Sequence, residues 1–251
     1  MGVGEFISIA LAGACAGAIN TLVGSGTLIT FPVLLAFGYA PVTANVSNTI
    51  GLVPGSVSGA YGYRRELSGQ RRRAVRLGAT AVAGGLTGAV LLLALPSSAF
   101  AAIVPVFIAA ALVLTVLQPR IARWLAHREI DLSHDRSLFA PISVFLTGIY
   151  GGYFGAAQGI MLLALLGVAL DQDIQRTNAL KNVLAGLVNA VAGIVFILAA
   201  HVAWAPAAII AVSSVVGAQL GARYGRRLPP DALRALIVIV GIFAIVHLLS
   251  S

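Results

Sequence analysis

The chain has 251 residues, of which 59% are hydrophobic and only 10% are charged, and this composition excludes an ordinary water-soluble domain. Its net charge of +8 does not indicate nucleic-acid binding, because the basic residues lie in short clusters between apolar runs. Such clusters orient a membrane protein, since Lys and Arg are retained on the cytoplasmic side. The sequence therefore predicts an all-α integral membrane protein, a polytopic helical bundle embedded in a lipid bilayer.

Ten apolar segments are predicted in chain order. The first five are 5–22, a short run at 27–37, 44–63, 77–95 and 99–117. The second five are 138–154, a short run at 160–170, 177–200, 205–222 and 233–249. Because a polar stretch separates the two sets, we predict a first transmembrane repeat at 1–118, a cytoplasmic linker at 119–137 and a second transmembrane repeat at 138–251.

The two sets of segments resemble each other at a fixed offset. A shift of 133 positions, without gaps, superposes Gly26 on Gly159, Asn45 on Asn178, Gly84 on Gly217, Gly88 on Gly221, and Leu95-Pro96 on Leu228-Pro229. So many matches at one offset predict an internal duplication.

The basic clusters predict that one copy is inserted upside down. Loop 64–76 carries six arginines, whereas the corresponding stretch 197–209 carries neither Lys nor Arg. Later, Arg223, Arg226 and Arg227 correspond to neutral residues of the first copy. Placing every basic cluster in the cytoplasm requires an odd number of crossings in each copy, which five segments supply. Each half is then a broken pair of one long and one short helix plus three spanning helices, and both termini lie outside the cell membrane.

Each copy opens with a long segment and a short one, joined by a break. A helix of about 11 residues reaches only about 17 Å, so each break should lie at depth in the bilayer. Secondary transporters bind substrate at such paired breaks, where half-helix N-termini attract anions. The candidate substrate-binding residues are Gly24, Ser25, Gly26 and Thr27 in the first break, and Gln158 and Gly159 in the second. The alternative is that these glycines only let helices pack closely.

A second polar cluster follows each short segment and adds the candidates Asn45, Asn48, Asn178, Lys181 and Asn182. Helical spacing places the members of each cluster on one face, which should point inward because lipid leaves amides unsatisfied. Lys181 is the chain's only lysine and the most specific candidate for pairing with an anion. The alternative is that its ammonium snorkels to water at the inner interface. We expect Asn20 and Asn189 to make interhelical hydrogen bonds.

An enzyme is not expected. The stretch Gly24-Ser25-Gly26 is superficially similar to a serine nucleophile loop, but every His of the chain falls in the linker or at a predicted outer end. No metal-ligand cluster or Walker-type phosphate loop occurs in the sequence, so we expect no metal, no cofactor and no ATP-driven step. Movement of a substrate would follow a gradient. Coupling to protons and assembly as a homo-oligomer are left open.

With these residues in view, the stretch 17–32 (GAINTLVGSGTLITFP) and the stretch 44–49 (ANVSNT) resemble the TauE/SafE family of sulfite exporters, also called 4-toluene sulfonate uptake permeases. Many members carry three glycines followed by a proline, where this chain has Gly24-Ser25-Gly26 and Pro32. The second copy departs further, with Ala156-Ala157-Gln158-Gly159 at the glycine run.

The resemblance covers essentially the whole chain. It implies a secondary transporter, exporter or permease, that moves sulfite, organosulfonates or related small anions across a bacterial-type inner membrane. Alternating access of the two copies is our hypothesis for the mechanism. The alternatives are an anion channel or passive pore and a membrane scaffold or enzyme that transports nothing.

Overall fold

The computed structural model describes residues 1–126, 138–170, 172–224 and 230–250. In this part of the chain the backbone forms ten helices and no strand. They are α1 (Val3–Leu22), α2 (Thr27–Ala36), α3 (Pro41–Gly62), α4 (Arg71–Ala94), α5 (Ser97–Ala126), α6 (Phe139–Tyr153), α7 (Gln158–Ala169), α8 (Ile174–Ala199), α9 (Trp204–Tyr224) and α10 (Pro230–Ser250). The predicted all-helical fold is confirmed.

Five of these helices, α1, α4, α5, α8 and α9, are long and apolar enough to cross a membrane. Their outward faces carry large apolar side chains, such as Leu11 on α1, Val106 on α5 and Val212 on α9, which suits contact with lipid. Helix α3 has 22 residues and is as long as a span, but a run of its polar side chains is buried inside the bundle. The chain is therefore a multi-pass membrane protein whose polar groups face inward.

Two helix boundaries differ by more than five residues from those predicted from hydropathy, the start of α4 and the end of α5. Helix α4 begins at Arg71 rather than at residue 77, because arginine is a good helix former that an apolar pattern does not register. Helix α5 continues to Ala126, so the first residues of the predicted linker are helical. Residues 127–137 of that linker, and the Leu228-Pro229 pair of the predicted repeat, lie outside the described residues.

The first two helices form a hairpin. The hydroxyl of Tyr39, just after α2, donates to Glu5 Oε1 near the start of α1 at 2.8 Å, so α2 returns to the end at which α1 begins. Burial, together with this hydrogen bond, raises the pKa of the Tyr39 hydroxyl. Helices α6 and α7 form a second hairpin, because Ala140 at the start of α6 and Leu170 after α7 border the same cavity.

The two hairpins enter the bundle from opposite ends. The base of the first lies at the start of α3, since Tyr39 comes just before Pro41. The base of the second lies beyond the other end of α3, where Gln70 borders the cavity that Ala140 and Leu170 also line. Their tips meet inside the protein, where the Gly159 amide donates to the carbonyl oxygen of Gly24 at 3.0 Å.

The packing of the first five helices mirrors that of the second five. Helix α1 packs along α9 as α6 packs along α4, α3 contacts α9 as α8 contacts α4, and α2 contacts α10 as α7 contacts α5. The counterpart of a helix is the one at the same position in the other half, so that α1 corresponds to α6. The remaining large contacts between the two halves join counterparts directly, α3 with α8 and α5 with α10. Exchanging each helix for its counterpart thus leaves this set of contacts unchanged.

Glycines at a spacing of four, Gly84 with Gly88 and Gly217 with Gly221, allow two of these helix pairs to pack very closely. A Cβ atom at Gly217 would overlap the carbonyl oxygen of Ala14 on α1, and one at Gly88 would overlap the carbonyl oxygen of Ile149 on α6. The backbones therefore touch where α1 meets α9 and where α4 meets α6.

Replacing Gly88 by alanine is expected to lower the free energy of unfolding by about 1–3 kcal/mol, because the added methyl forces α4 and α6 apart. The measurement is the thermal unfolding midpoint of the purified protein in detergent. Gly4→Ala is the matched control, since nothing lies within 4 Å of a Cβ at that helical position. Equal midpoints for the two variants would contradict the close contact at Gly88.

Candidate functional site

The breaks at the hairpin tips are built alike. Each has four residues, 23–26 between α1 and α2 and 154–157 between α6 and α7. Gly24 and Gly155 both have positive φ, 92° and 77°, which glycine adopts without steric cost. Their amides donate to equivalent carbonyls, Gly24 to Ile19 at 2.9 Å and Gly155 to Tyr150 at 3.1 Å.

This correspondence corrects the predicted superposition of Gly26 on Gly159. In the structure Gly24 matches Gly155, and Gly26 matches Ala157, because each of the latter pair immediately precedes its short helix. The offset of 133 fails here because α7 has 12 residues and α2 only 10. Gly159 instead lies in the first turn of α7, where it contacts Gly24.

In each break, one side chain of the preceding helix forms a hydrogen bond with the backbone. Asn20 Oδ1 accepts from the amide of Gly26 at 2.7 Å and so ties the end of α1 to the start of α2. In the second break the hydroxyl of Tyr150 donates to the carbonyl oxygen of Ala156 at 2.6 Å. Asn20 was expected to make an interhelical hydrogen bond, and the bond of its side chain runs to the break of its own hairpin. These two bonds link each break to the helix that precedes it.

A small cavity lies between the two tips, with a volume of about 30 Å³. Six of the predicted residues line it: Gly24, Thr27, Gln158, Gly159, Lys181 and Asn182. Six others, not proposed as ligands from sequence, also line it: Asn20, Thr21, Ser56, Gly155, Ala185 and Asn189. The cavity has room for about two water molecules. The structure thus brings the two breaks and the start of α8 together around one polar space.

Lys181 is fully buried, with 0% of its surface exposed, and its Nζ donates to the backbone carbonyl oxygen of Asn20 at 3.0 Å. The alternative that its ammonium snorkels to the inner interface is therefore wrong. An ammonium carries three N–H donors, and this bond uses one of them. Because Lys181 also lines the cavity, its charge is available to a bound molecule there.

The charge of Lys181 is not balanced by a carboxylate in the cavity. Of the acidic side chains that the structure describes, Glu5 lies at a hairpin base and Glu66 and Asp173 lie in loops, and none of them lines this space. The carbonyl end of α1, to which Nζ is bonded, supplies only a partial negative charge. Protonated Lys181, compensated in this way, would make the cavity electropositive, and a bound anion would favour that protonated form.

Gln158 adds a second donor to the same space. It is the first residue of α7, lines the cavity and is 3% exposed, and its Nε2 atom has no hydrogen-bond partner among the described residues. A buried amide without a partner is unusual in a folded protein. Thr27, the first residue of α2, faces the cavity from the other tip. The two short helices thus direct their N-terminal ends, where amides and the helix dipole favour anions, at one point.

Asn45 and Asn178, predicted as ligands, do not line this cavity. The Nδ2 atom of Asn45 donates to the carbonyl of Tyr153 at 3.0 Å, and that of Asn178 donates to the carbonyl of Thr21 at 3.2 Å. Each asparagine therefore satisfies a carbonyl at the end of the broken helix in the opposite half. Asn182 makes the same type of bond to Thr21 at 3.2 Å but does line the cavity.

The other three predicted residues also stand outside the cavity and support α2. Asn48 Nδ2 donates to Thr27 Oγ1 at 3.4 Å, and its Oδ1 accepts from the hydroxyl of Thr30. Gly26 precedes α2, and Ser25 Oγ is buried without a described partner. Sequence could have singled out Asn20 and Asn189 as ligands, because they are polar residues on membrane helices. Thr21 and Ser56 gave a weaker signal, because a Ser or Thr hydroxyl can bond a carbonyl of its own helix, as both do here, and Ala185 gave none.

Two helical hairpins whose tips meet around a polar cavity, inside a bundle of membrane-spanning helices, are typical of multi-pass membrane transporters. The sequence profile of the family described as sulfite exporter TauE/SafE matches residues 9–248. The chain belongs to this family of membrane transporters.

Several bacterial relatives are similar along most of their length. The chain is 26% identical to the probable membrane transporter protein YfcA of Escherichia coli K12, over 90% of this chain and 82% of the relative. It is 26% identical to the probable membrane transporter protein ORF9 of Sinorhizobium sp, covering 94% and 89% of the two chains. A probable membrane transporter protein of Haemophilus influenzae is 24% identical, covering 91% and 88%. No solved structure gives a significant match.

Proposed function

We propose that the protein is a secondary transporter of small sulfur oxyanions, with sulfite as the reference substrate, and that it binds them between the two hairpin tips. The observation that carries this proposal is the buried amine of Lys181 in a cavity that no carboxylate of the described residues lines. The family description supports the class of substrate. An anion in the cavity would provide the negative charge that no described acidic side chain places there.

The chemistry of the lining suits an oxyanion. Lys181 and Gln158 both line the space and carry N–H donors, and Thr27 can add a hydroxyl. Oxyanions accept hydrogen bonds on every oxygen, and bonds from a charged donor are stronger than neutral ones. With room for about two water molecules, the cavity suits sulfite, whereas a bulkier organosulfonate would require the tips to move apart.

The mechanism that we propose is alternating access, and the way in which the two hairpins enter the bundle supports it. One approaches the cavity from the start of α3 and the other from its far end, so displacing either would open the cavity to a different side of the membrane. An inverted repeat is supported by the exchange of helix contacts between the two halves and by the alternating basic loops. Placing those loops in the cytoplasm of a bacterial cell puts both termini outside the inner membrane.

The proposal is tested by the flux of radiolabelled sulfite into proteoliposomes, with and without an imposed proton gradient. We expect uptake that saturates with sulfite concentration and that is accelerated by unlabelled sulfite on the opposite side. Uptake that rises linearly without counterflow would indicate a pore, and the absence of flux for sulfite and for small sulfonates would rule out this substrate class. A dependence on the proton gradient would establish the coupling ion.

A further inference from the structure

A second, larger cavity lies at the base of the α6–α7 hairpin, away from the hairpin tips. It has a volume of about 620 Å³ and shares no lining residue with the central cavity. It is bordered by the start of α4, the start of α6 and the end of α7. Substrate transport between the tips gives this space no role.

One side of this basal cavity is strongly basic. Arg72, Arg73 and Arg76, all in the first turns of α4, line it, and no acidic side chain does so among the described residues. Arg73 Nη1 donates to Gln172 Oε1 at 2.6 Å, which holds one of the guanidinium groups over the loop after α7. The three guanidinium groups, one of them held in this way, offer several N–H donors, and the planar fork of a guanidinium matches phosphate oxygens.

The other side of the basal cavity is apolar. Leu77, Ala140 and Leu170 line it below the arginines. Next to its mouth, the surface of α6 exposes Leu138 and Ile142, which are 65% and 55% accessible and face the lipid in a membrane protein. The cavity therefore combines a cationic rim with an apolar wall that continues onto the lipid-facing surface.

We propose that the basal cavity binds an anionic phospholipid of the inner leaflet, such as phosphatidylglycerol or cardiolipin. Its phosphate lies against Arg72, Arg73 and Arg76, and an acyl chain follows the apolar surface of α6 past Ile142. The positive charge of the cavity and its place at the end of α4 that carries the arginines both fit this lipid. Arginine clusters at the cytoplasmic ends of membrane helices recognise anionic lipid headgroups. A free phosphate or sulfite ion would use the arginines but would leave the apolar wall without a partner. The lipid would clamp α4 to the base of the α6–α7 hairpin.

The test is the thermal unfolding midpoint of the delipidated full chain in detergent, with added phosphatidylglycerol, phosphatidylcholine or sodium phosphate. We expect phosphatidylglycerol to raise the midpoint in a saturable way, with the other two giving little effect. In the double variant Arg72→Gln/Arg76→Gln, the phosphatidylglycerol concentration for half of the shift should rise at least 10-fold. Native mass spectrometry should show the corresponding loss of bound lipid.

A matched control removes the same charge from the same end of the molecule. Arg64→Gln/Arg71→Gln lowers the net charge equally, but neither residue lines the basal cavity. We expect this variant to keep the wild-type response to phosphatidylglycerol. Equal weakening in both double variants would show general surface electrostatics and overturn the site. Stabilisation by sodium phosphate equal to that by the lipid would show a free-anion site, and the absence of any lipid effect on the wild type would overturn the proposal as well.

Discussion

The variant Lys181→Met is expected to lose sulfite binding while the protein still folds. A hydrogen bond from a charged donor contributes about 1.5–3 kcal/mol, so removal of the ammonium should weaken binding about 10- to 100-fold. Methionine has a similar shape and belongs in an apolar interior, so the bundle can accommodate it at this fully buried position. The measurements are the initial rate of sulfite uptake by proteoliposomes and the upward shift of the unfolding midpoint caused by sulfite.

The second measurement separates substrate binding from a purely structural role. Lys181 also bonds the Asn20 carbonyl at the end of α1, and leaving that carbonyl without a partner costs about 1–3 kcal/mol. Lys181→Met should therefore have a lower midpoint even without substrate. If sulfite still raises that midpoint as it does in the wild type, Lys181 only closes the end of α1 and the proposed anion site is wrong.

Arg176→Gln is the matched control for charge. Arg176 lies on the same helix, α8, but is bonded through Nη2 to the carbonyl of Ser68 at 3.0 Å and does not line the central cavity. Its replacement removes one positive charge near the same end of the helix. We expect sulfite uptake and the sulfite-dependent shift to stay within about twofold of the wild type, because exposed charges are screened by solvent.

The sequence alone was sufficient to predict the number and the order of the helices. The apolar runs and their interruptions reflect the cost of exposing polar backbone to lipid, and this cost is the same wherever the helix lies in the bundle. The helix ends at the membrane surface were predicted less accurately, because hydropathy does not detect the part of a helix that continues into water. Arg71 therefore begins α4 and Ala126 ends α5 outside the predicted segments.

The site was only partly predictable because it depends on which polar groups meet. The pairing of Asn45 with Asn178 at one offset was visible in the sequence, but each donates to a helix end in the opposite half rather than to the cavity. Whether Lys181 snorkels or faces inward depends on the packing of α1 and α8, which periodicity does not describe. The contact of Gly24 with Gly159 arises from two extra residues in α7, which an ungapped comparison could not reveal.

Replacing Gly159 by alanine is expected to reduce sulfite uptake at least 10-fold. A Cβ atom at this position would overlap Cα of Gly24, so the methyl must push the two hairpin tips apart and break the bond between the Gly159 amide and the Gly24 carbonyl. The same tips line the central cavity, so its donors would move out of reach of a common anion. The reciprocal variant, Gly24→Ala, should show the same defect for the same reason.

Gly24→Ala also introduces backbone strain, because Gly24 has a φ of 92°. Gly38→Ala is the control for this strain, since Gly38 has a φ of 84° but nothing lies within 4 Å of its Cβ position. It should lower the free energy of unfolding by about 1 kcal/mol and leave uptake per folded molecule unchanged. Gly159 itself lies in the first turn of α7 and carries no such strain, so its variant isolates the contact. Normal uptake by Gly159→Ala would mean that transport does not depend on the meeting of the two tips, because the hairpins could then work with a methyl group wedged between them.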